Sequence, residues 1–146
     1  MKLIISLSTA LVLLAGCSTK TEEPFNNENV EVVKNMFDAF NRHDWKAMAD
    51  HYIDSASFLD PSFGKEYVIQ SQADLASKYE EMQKFLPDIH DEVIGLYPSG
   101  DKVSAEFIST GTMPDGTKFS LPISCILTLE NGKIIKDATY YDQENQ

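Results

Sequence analysis

The spacing of apolar residues changes once along this chain, from a helical period to strict alternation, and the change divides it in two. From Glu28 to Asn41, Val30, Val33, Phe37 and Phe40 recur at helical spacing with Met36 beside them. That predicts an amphipathic helix with Asn29 as its cap. Asn41-Arg42-His43 reads as a turn, and Asp44 is placed to cap a short second helix whose apolar face is Trp45, Met48, Ala49 and Tyr52. His43 and His51 fall on polar segments and read as solvated. A strand follows and runs into an Asp60-Pro61 corner, with Phe58 and Asp60 on one face and Ser57, Leu59 and Pro61 on the other. After the loop Ser62-Phe63-Gly64-Lys65, a third helix begins near Ser71, with Asp74 as its capping partner. It buries Leu75, Tyr79, Met82 and Phe85 or Leu86, and Pro87 ends it.

Beyond Pro87 the pattern is β. Strands are expected from Ile89 to Tyr97, Lys102 to Met113, Phe119 to Leu129 and Lys133 to Tyr141, with turns at Pro98-Ser99-Gly100-Asp101, Pro114-Asp115-Gly116 and Asn131-Gly132. Phe119, Leu121, Ile123, Cys125, Leu127 and Leu129 share one buried face, while Pro122 on the other predicts a bulge or a partly unpaired position. Helices followed by a meander give the α+β class: about three helices on one face of a strongly curved antiparallel sheet. A sheet rolled into a cone and closed by helices leaves a cavity.

Composition adds an address. The chain has 146 residues, enough for one domain. Met1-Lys2, the apolar run Leu3 to Leu14 and then Ala15-Gly16-Cys17 describe a secretory signal peptide over residues 1–16. Leu14-Ala15-Gly16-Cys17 resembles a bacterial lipobox, which implies acylation of Cys17 and a lipid anchor at the cell envelope. Residues 17–28 then form a polar tether, 29–142 the domain and 143–146 a tail. Cys125 is the one other cysteine, so no intramolecular disulfide is expected; in an apolar strand it reads as a small buried hydrophobe. From Cys17 onward the chain keeps 11 basic and 23 acidic residues, a formal charge of −12. With no basic patch carrying aromatics, nucleic acid is not an expected partner. No His-Glu-x-x-His, paired-cysteine, nucleotide or flavin signature occurs, so neither metal nor cofactor is expected.

The candidate chemistry centres on Asp60. A carboxylate sharing a strand face with a buried Phe has a costly charge and a mobile pKa. Two readings stand: a structural corner bonded to backbone N–H groups, or an acid/base in a pocket. Met36, Phe40, Trp45, Tyr52, Phe58, Tyr140 and Tyr141 are the candidate ligand contacts. The two adjacent tyrosines point to opposite faces, so one lines the cavity and the other packs or pairs with a second copy.

Phe40-Asn41-Arg42-His43-Asp44-Trp45, Tyr52 through Asp60-Pro61, Pro87-Asp88-Ile89-His90, Gly132-Lys133-Ile134 and Tyr140-Tyr141-Asp142 stand in the order seen in SnoaL-like polyketide cyclases. The chain resembles that family, within the nuclear transport factor 2-like superfamily that includes ketosteroid isomerase, over about Asn29 to Asp142. By this resemblance Asp60 matches the base of ketosteroid isomerase. Met36 and Cys125 stand where that enzyme has its oxyanion-hole Tyr and protonated Asp, so its own reaction is not implied. Asp142 matches a cyclase Asp that abstracts a C–H proton, and His90 would donate a hydrogen bond to the substrate. Two functions are expected on these grounds. The first is a membrane-anchored pocket domain binding a small apolar or amphipathic molecule. The alternative is a cofactor-independent cyclase or isomerase using Asp60 and Asp142 as acid and base. A homodimer through the open sheet face is a further expectation.

Overall fold

The computed structural model describes residues 27–142. The expected signal peptide, Cys17, most of the expected tether and residues 143–146 lie outside the described residues. Ten elements follow in order: α1 (Asn27–Asn41), α2 (Trp45–Ala49), β1 (Tyr52–Leu59), a 3-10 turn (Pro61–Phe63), β2 (Val68–Gln70), α3 (Gln72–Phe85), β3 (His90–Ser99), β4 (Lys102–Thr112), β5 (Lys118–Glu130) and β6 (Lys133–Tyr140). None of the described helices is long and apolar enough to cross a membrane.

Helix α1 buries Val33, Met36, Phe37 and Phe40, as its spacing predicts. It begins at Asn27, so Asn29 is a buried residue of its first turn and not its cap. Asp44 does cap α2, its Oδ1 accepting from Ala47 N at 3.0 Å. Ser71 and Asp74 cap α3 reciprocally: Ser71 Oγ accepts from Asp74 N at 3.0 Å and donates to Asp74 Oδ2 at 2.7 Å.

The six strands form one sheet in the order β2-β1-β6-β5-β4-β3. It is mixed, which corrects the expected antiparallel sheet: β1 lies parallel to β6, and every other pairing is antiparallel. No hairpin joins β1 to β6, since α3 and four strands intervene, so nothing forces them antiparallel. Strand β2 was not legible in the sequence; three residues are too few for a period. Pro122 causes no register shift and sits opposite Ile108. Strand β6 pairs with β5 only from Ser124 onward, so Pro122 lies where the other edge of β5 has no partner strand.

Two irregularities set what faces inward. In β1, Tyr52 pairs with Ile134 and Ser57 with Lys136, so Ile53–Ser55 swell out of the ladder; Ser55 takes the left-handed conformation at φ 80°. In β6, Leu129 faces Ile134 and Thr128 faces Lys136, leaving Ile135 as an extra residue. That one-residue insertion reverses the alternation. Ile134 is buried, and beyond the bulge Asp137, Thr139 and Tyr141 line the cavity within the fold. The helices close this side of the sheet; Phe37 meets Phe107 edge-on at 4.9 Å and Phe40 meets Tyr79 at 5.4 Å.

Candidate functional site

Between sheet and helices lies a cavity of about 210 Å³. Its walls are largely apolar: Met36, Phe37, Phe40, Met82, Phe107 and Phe119 among others. Gly111 of β4 makes room for Phe119, because a Cβ there would stand 2.8 Å from the ring. Into these walls are set Asp60, Asp91 and Asp137, with Lys78, three tyrosines and Cys125.

Asp60 follows the last residue of β1 and caps the 3-10 turn. Its Oδ1 accepts from Ser62 N at 2.7 Å and from the Tyr141 hydroxyl at 3.1 Å. Its Oδ2 stands 3.6 Å from Lys78 Nζ, which also donates to Ser62 Oγ at 3.0 Å and lies 3.9 Å above the Phe63 ring. Burial alone would raise the Asp60 pKa. The Lys78 charge and the hydrogen bonds from Ser62 and Tyr141 outweigh it and hold the carboxyl below its ordinary range. Asp60 is thus a bonded corner whose side chain also lines the cavity.

Asp137, on central strand β6, has the opposite balance. It is 9% exposed. Tyr52 donates to Oδ2 at 2.9 Å and Thr139 to Oδ1 at 2.8 Å. Burial pushes its pKa up to about 6 against those two bonds, and the charge of Asp60 adds to the rise. Burial likewise holds the Tyr52, Tyr79 and Cys125 protons on, with Asp137 nearby contributing in each case.

Asp91 is the third acid. Asn41 clamps its backbone, donating Nδ2 to Asp91 O and accepting from Asp91 N, both at 2.8 Å. The side chain is buried, and Oδ1 has no hydrogen-bond partner among the described residues. Burial lifts its pKa to about 6, partly offset by a hydrogen bond with Ser109.

Of the residues singled out from sequence, Asp60, Met36, Phe40, Tyr52 and Tyr141 line the cavity. Trp45 and Phe58 do not: Trp45 is wedged against Phe40, His43 and Tyr79, and Phe58 against Tyr52 and Phe63. Tyr140 is half-exposed on the outer face. His90 and Asp142 are also outside the cavity. His90 is exposed because its neighbour Asp91 takes the inward position on β3; Asp142 is exposed past the end of β6, one residue beyond inward-facing Tyr141. His43 is half-buried and bonded, contrary to the solvated reading. Its Nε2 donates to Ile89 O at 2.9 Å, which leaves Nδ1 to accept from Gln83 Nε2 at 2.8 Å. Cys125 is a buried free thiol, as expected. Among the described residues no three His, Cys, Asp or Glu side chains converge as a metal site.

Sequence reasoning missed Asp91 and Asp137. A signal for Asp91 exists: it alternates with Ile89 and Val93, so an acid shares an apolar face. Asp137 had no such signal, because the Ile135 bulge that turns it inward is invisible to a simple alternation.

A helical layer over a curved mixed sheet, enclosing an apolar cavity with a few acids, defines the nuclear transport factor 2-like fold. Within it the chain belongs to the SnoaL-like domain family, which matches residues 33–136. A candidate polyketide cyclase from Xanthomonas campestris pv. campestris has a similar structure, at 22% identity and TM-score 0.65, covering 80% of this chain and 91% of its own. IdmH, a candidate polyketide cyclase from Streptomyces antibioticus, is similar at 19% identity and TM-score 0.69, covering 78% and 91%. A protein with a ketosteroid isomerase-like fold from Catenulispora acidiphila, in complex with trimethylamine, is similar at 18% identity and TM-score 0.69, covering 77% and 86%. At these identities the likeness shows the fold. No curated protein is similar enough in sequence to be matched.

Proposed function

We propose that the domain is a small-molecule enzyme of cyclase or isomerase type that works by proton transfer at a carbon next to a carbonyl. One observation carries this reading. Asp60 and Asp137 face one apolar cavity, and their surroundings push their ionisation in opposite directions. Acids driven apart in this way are suited to act as base and acid. Asp60, held anionic, takes the proton from carbon through Oδ2, which stands beyond hydrogen-bond distance of Lys78. Asp137, in its protonated form, returns a proton to the resulting enolate. The flanking Tyr141 and Lys78 orient Asp60; Tyr52 and Thr139 orient Asp137. Asp137 here takes the role that the family resemblance implies for Asp142. The family and the small-molecule complex of a relative support a ligand in this cavity.

The test is deuterium uptake next to the carbonyl of aryl ketones such as 2-tetralone, followed by NMR. Uptake above buffer is expected, falling by about 10²-fold or more in Asp60→Asn. It should also fall as pH rises through about 6, where Asp137 loses its proton. Uptake across such ketones that never exceeds buffer, or that Asp60→Asn leaves intact, overturns the reading.

The sequence around Cys17 supports a location at the bacterial cell envelope, with the domain tethered by an acylated Cys17. Mass spectrometry of the full chain from a bacterial host should find diacylglycerol on Cys17, lost in Cys17→Ala; an unmodified thiol there refutes the anchor. Tyr97, Ile126 and Tyr140, exposed on the outer sheet face, support pairing of two copies. Light scattering that finds only monomer contradicts that pairing.

A further inference from the structure

The cavity holds a carboxylate that the proposed proton transfer does not use. Asp91 is 6% exposed, yet its Oδ1 accepts no hydrogen bond among the described residues. A buried acceptor left without a donor costs about 1–3 kcal/mol, and more when charged. The Asn41 clamp, two 2.8 Å bonds to its backbone, fixes the main chain at this residue.

The charge balance of the lining points the same way. Three aspartates face the cavity, and Lys78 is the one basic side chain among its lining residues. Lys78 is committed to Asp60 and Ser62. Asp137 has both oxygens engaged by the hydroxyls of Tyr52 and Thr139. Asp91 is left with an unpartnered buried acceptor and, among the described residues, no ion pair. Phe37, Phe40, Phe107 and Phe119 surround the same space, and ring faces attract cations.

We infer that the ligand of this cavity carries a protonated amine, and that Asp91 Oδ1 accepts its N–H while the aromatic walls hold its apolar body. A neutral hydroxyl would meet the oxygen but leave the charge unmatched; a carboxylate ligand would be repelled. The inference rests on the reading of this cavity as a substrate site. It names a class of substrate for it: an apolar carbonyl compound bearing an amine.

Binding is measured without turnover, so it fails or succeeds separately from the proton-transfer chemistry. Benzylamine, benzyl alcohol and benzoate are titrated into the wild-type protein, with amide shifts of Asp91 and Ser109 followed by NMR. Benzylamine should bind at least about tenfold tighter than benzyl alcohol, the ratio a charge-assisted hydrogen bond provides. In Asp91→Asn the two should come within about twofold of each other, the range expected once the charge is gone. Equal affinity of amine and alcohol in the wild type overturns the inference and needs no variant that must fold. So does an amine preference that survives in Asp91→Asn, or shifts that spare Asp91 and Ser109.

Discussion

Asp91 and Asp137 are held against their own ionisation, and that fixes what each should do to stability. Both have folded-state pKa values of about 6, above the ordinary 3.8. The native state therefore keeps protons that the unfolded chain has released, and stability falls as pH rises from about 4 through 6. Two units correspond to roughly 3 kcal/mol for a buried group. Asp91→Asn removes that cost at Asp91 without changing shape. The variant should be more stable than wild type by about 1–3 kcal/mol at pH 8, the lower figure allowing for an amide N–H left unpaired. The gain should vanish near pH 4, where both side chains are neutral. Urea titrations at the two pH values check this, and an equal effect at both would show that Asp91 is not buried as an ion. A gain in stability on removing an acid is what a site kept for binding predicts. Of the two, Asp137 was the less legible in the sequence. Asp60 announced itself by sharing a face with Phe58 and by the Asp-Pro corner. Asp137 is turned inward by one extra residue in β6, and Asp142, by parity, is not.

At the scale of elements, local rules were legible wherever a side chain acts on its own neighbours. The caps at Asp44 and Ser71, the Pro87 stop and the Asn131-Gly132 hairpin all follow from residues a few positions apart. What joins elements was not legible. Trp45 Nε1 donates to Gln83 Oε1 at 2.8 Å, Gln83 Nε2 donates to His43 Nδ1 at 2.8 Å, and His43 Nε2 donates to Ile89 O at 2.9 Å. This chain of bonds ties the turn after α1, α2 and α3 to the entry of β3 across as many as 46 positions. No sequence period encodes it, and so His43 looked solvated. Each bond fixes the next: Nε2 of His43 must donate to a carbonyl, so Nδ1 accepts, and the Gln83 amide then has one orientation that also serves Trp45. Gln83→Ala should cost about 1–3 kcal/mol by leaving the buried indole N–H unpaired. Trp45 is the one tryptophan of the chain, so its fluorescence reports the loss directly. Unchanged stability together with unchanged emission would mean the network is not formed.

Over the whole molecule, two families of acid set opposite slopes. Asp60 and the surface acids Asp50, Asp88, Asp101 and Asp115 have pKa values lowered by partners that offset burial or outweigh it. Their contribution is present above the ordinary carboxylate range and is lost as pH falls through the lowered values. Asp91 and Asp137 act in reverse, costing stability as pH rises toward 6. The formal charge of −11 adds self-repulsion on the same alkaline side. The two slopes cross where the surface acids are already ionised and the buried ones are still protonated. Thermal stability should therefore peak near pH 4, fall as pH rises to about 6, and remain lower at pH 8. Salt separates the two causes of that decline, because it screens surface repulsion over about 10 Å but reaches buried groups far less. Raising salt at pH 8 should restore part of the loss in wild type, and Asp91→Asn should restore a further part that salt does not. Calorimetry across pH 3–8 at low and high salt tests both, and a melting temperature that rises from about pH 4 to 6 would mean that the cavity does not bury its acids.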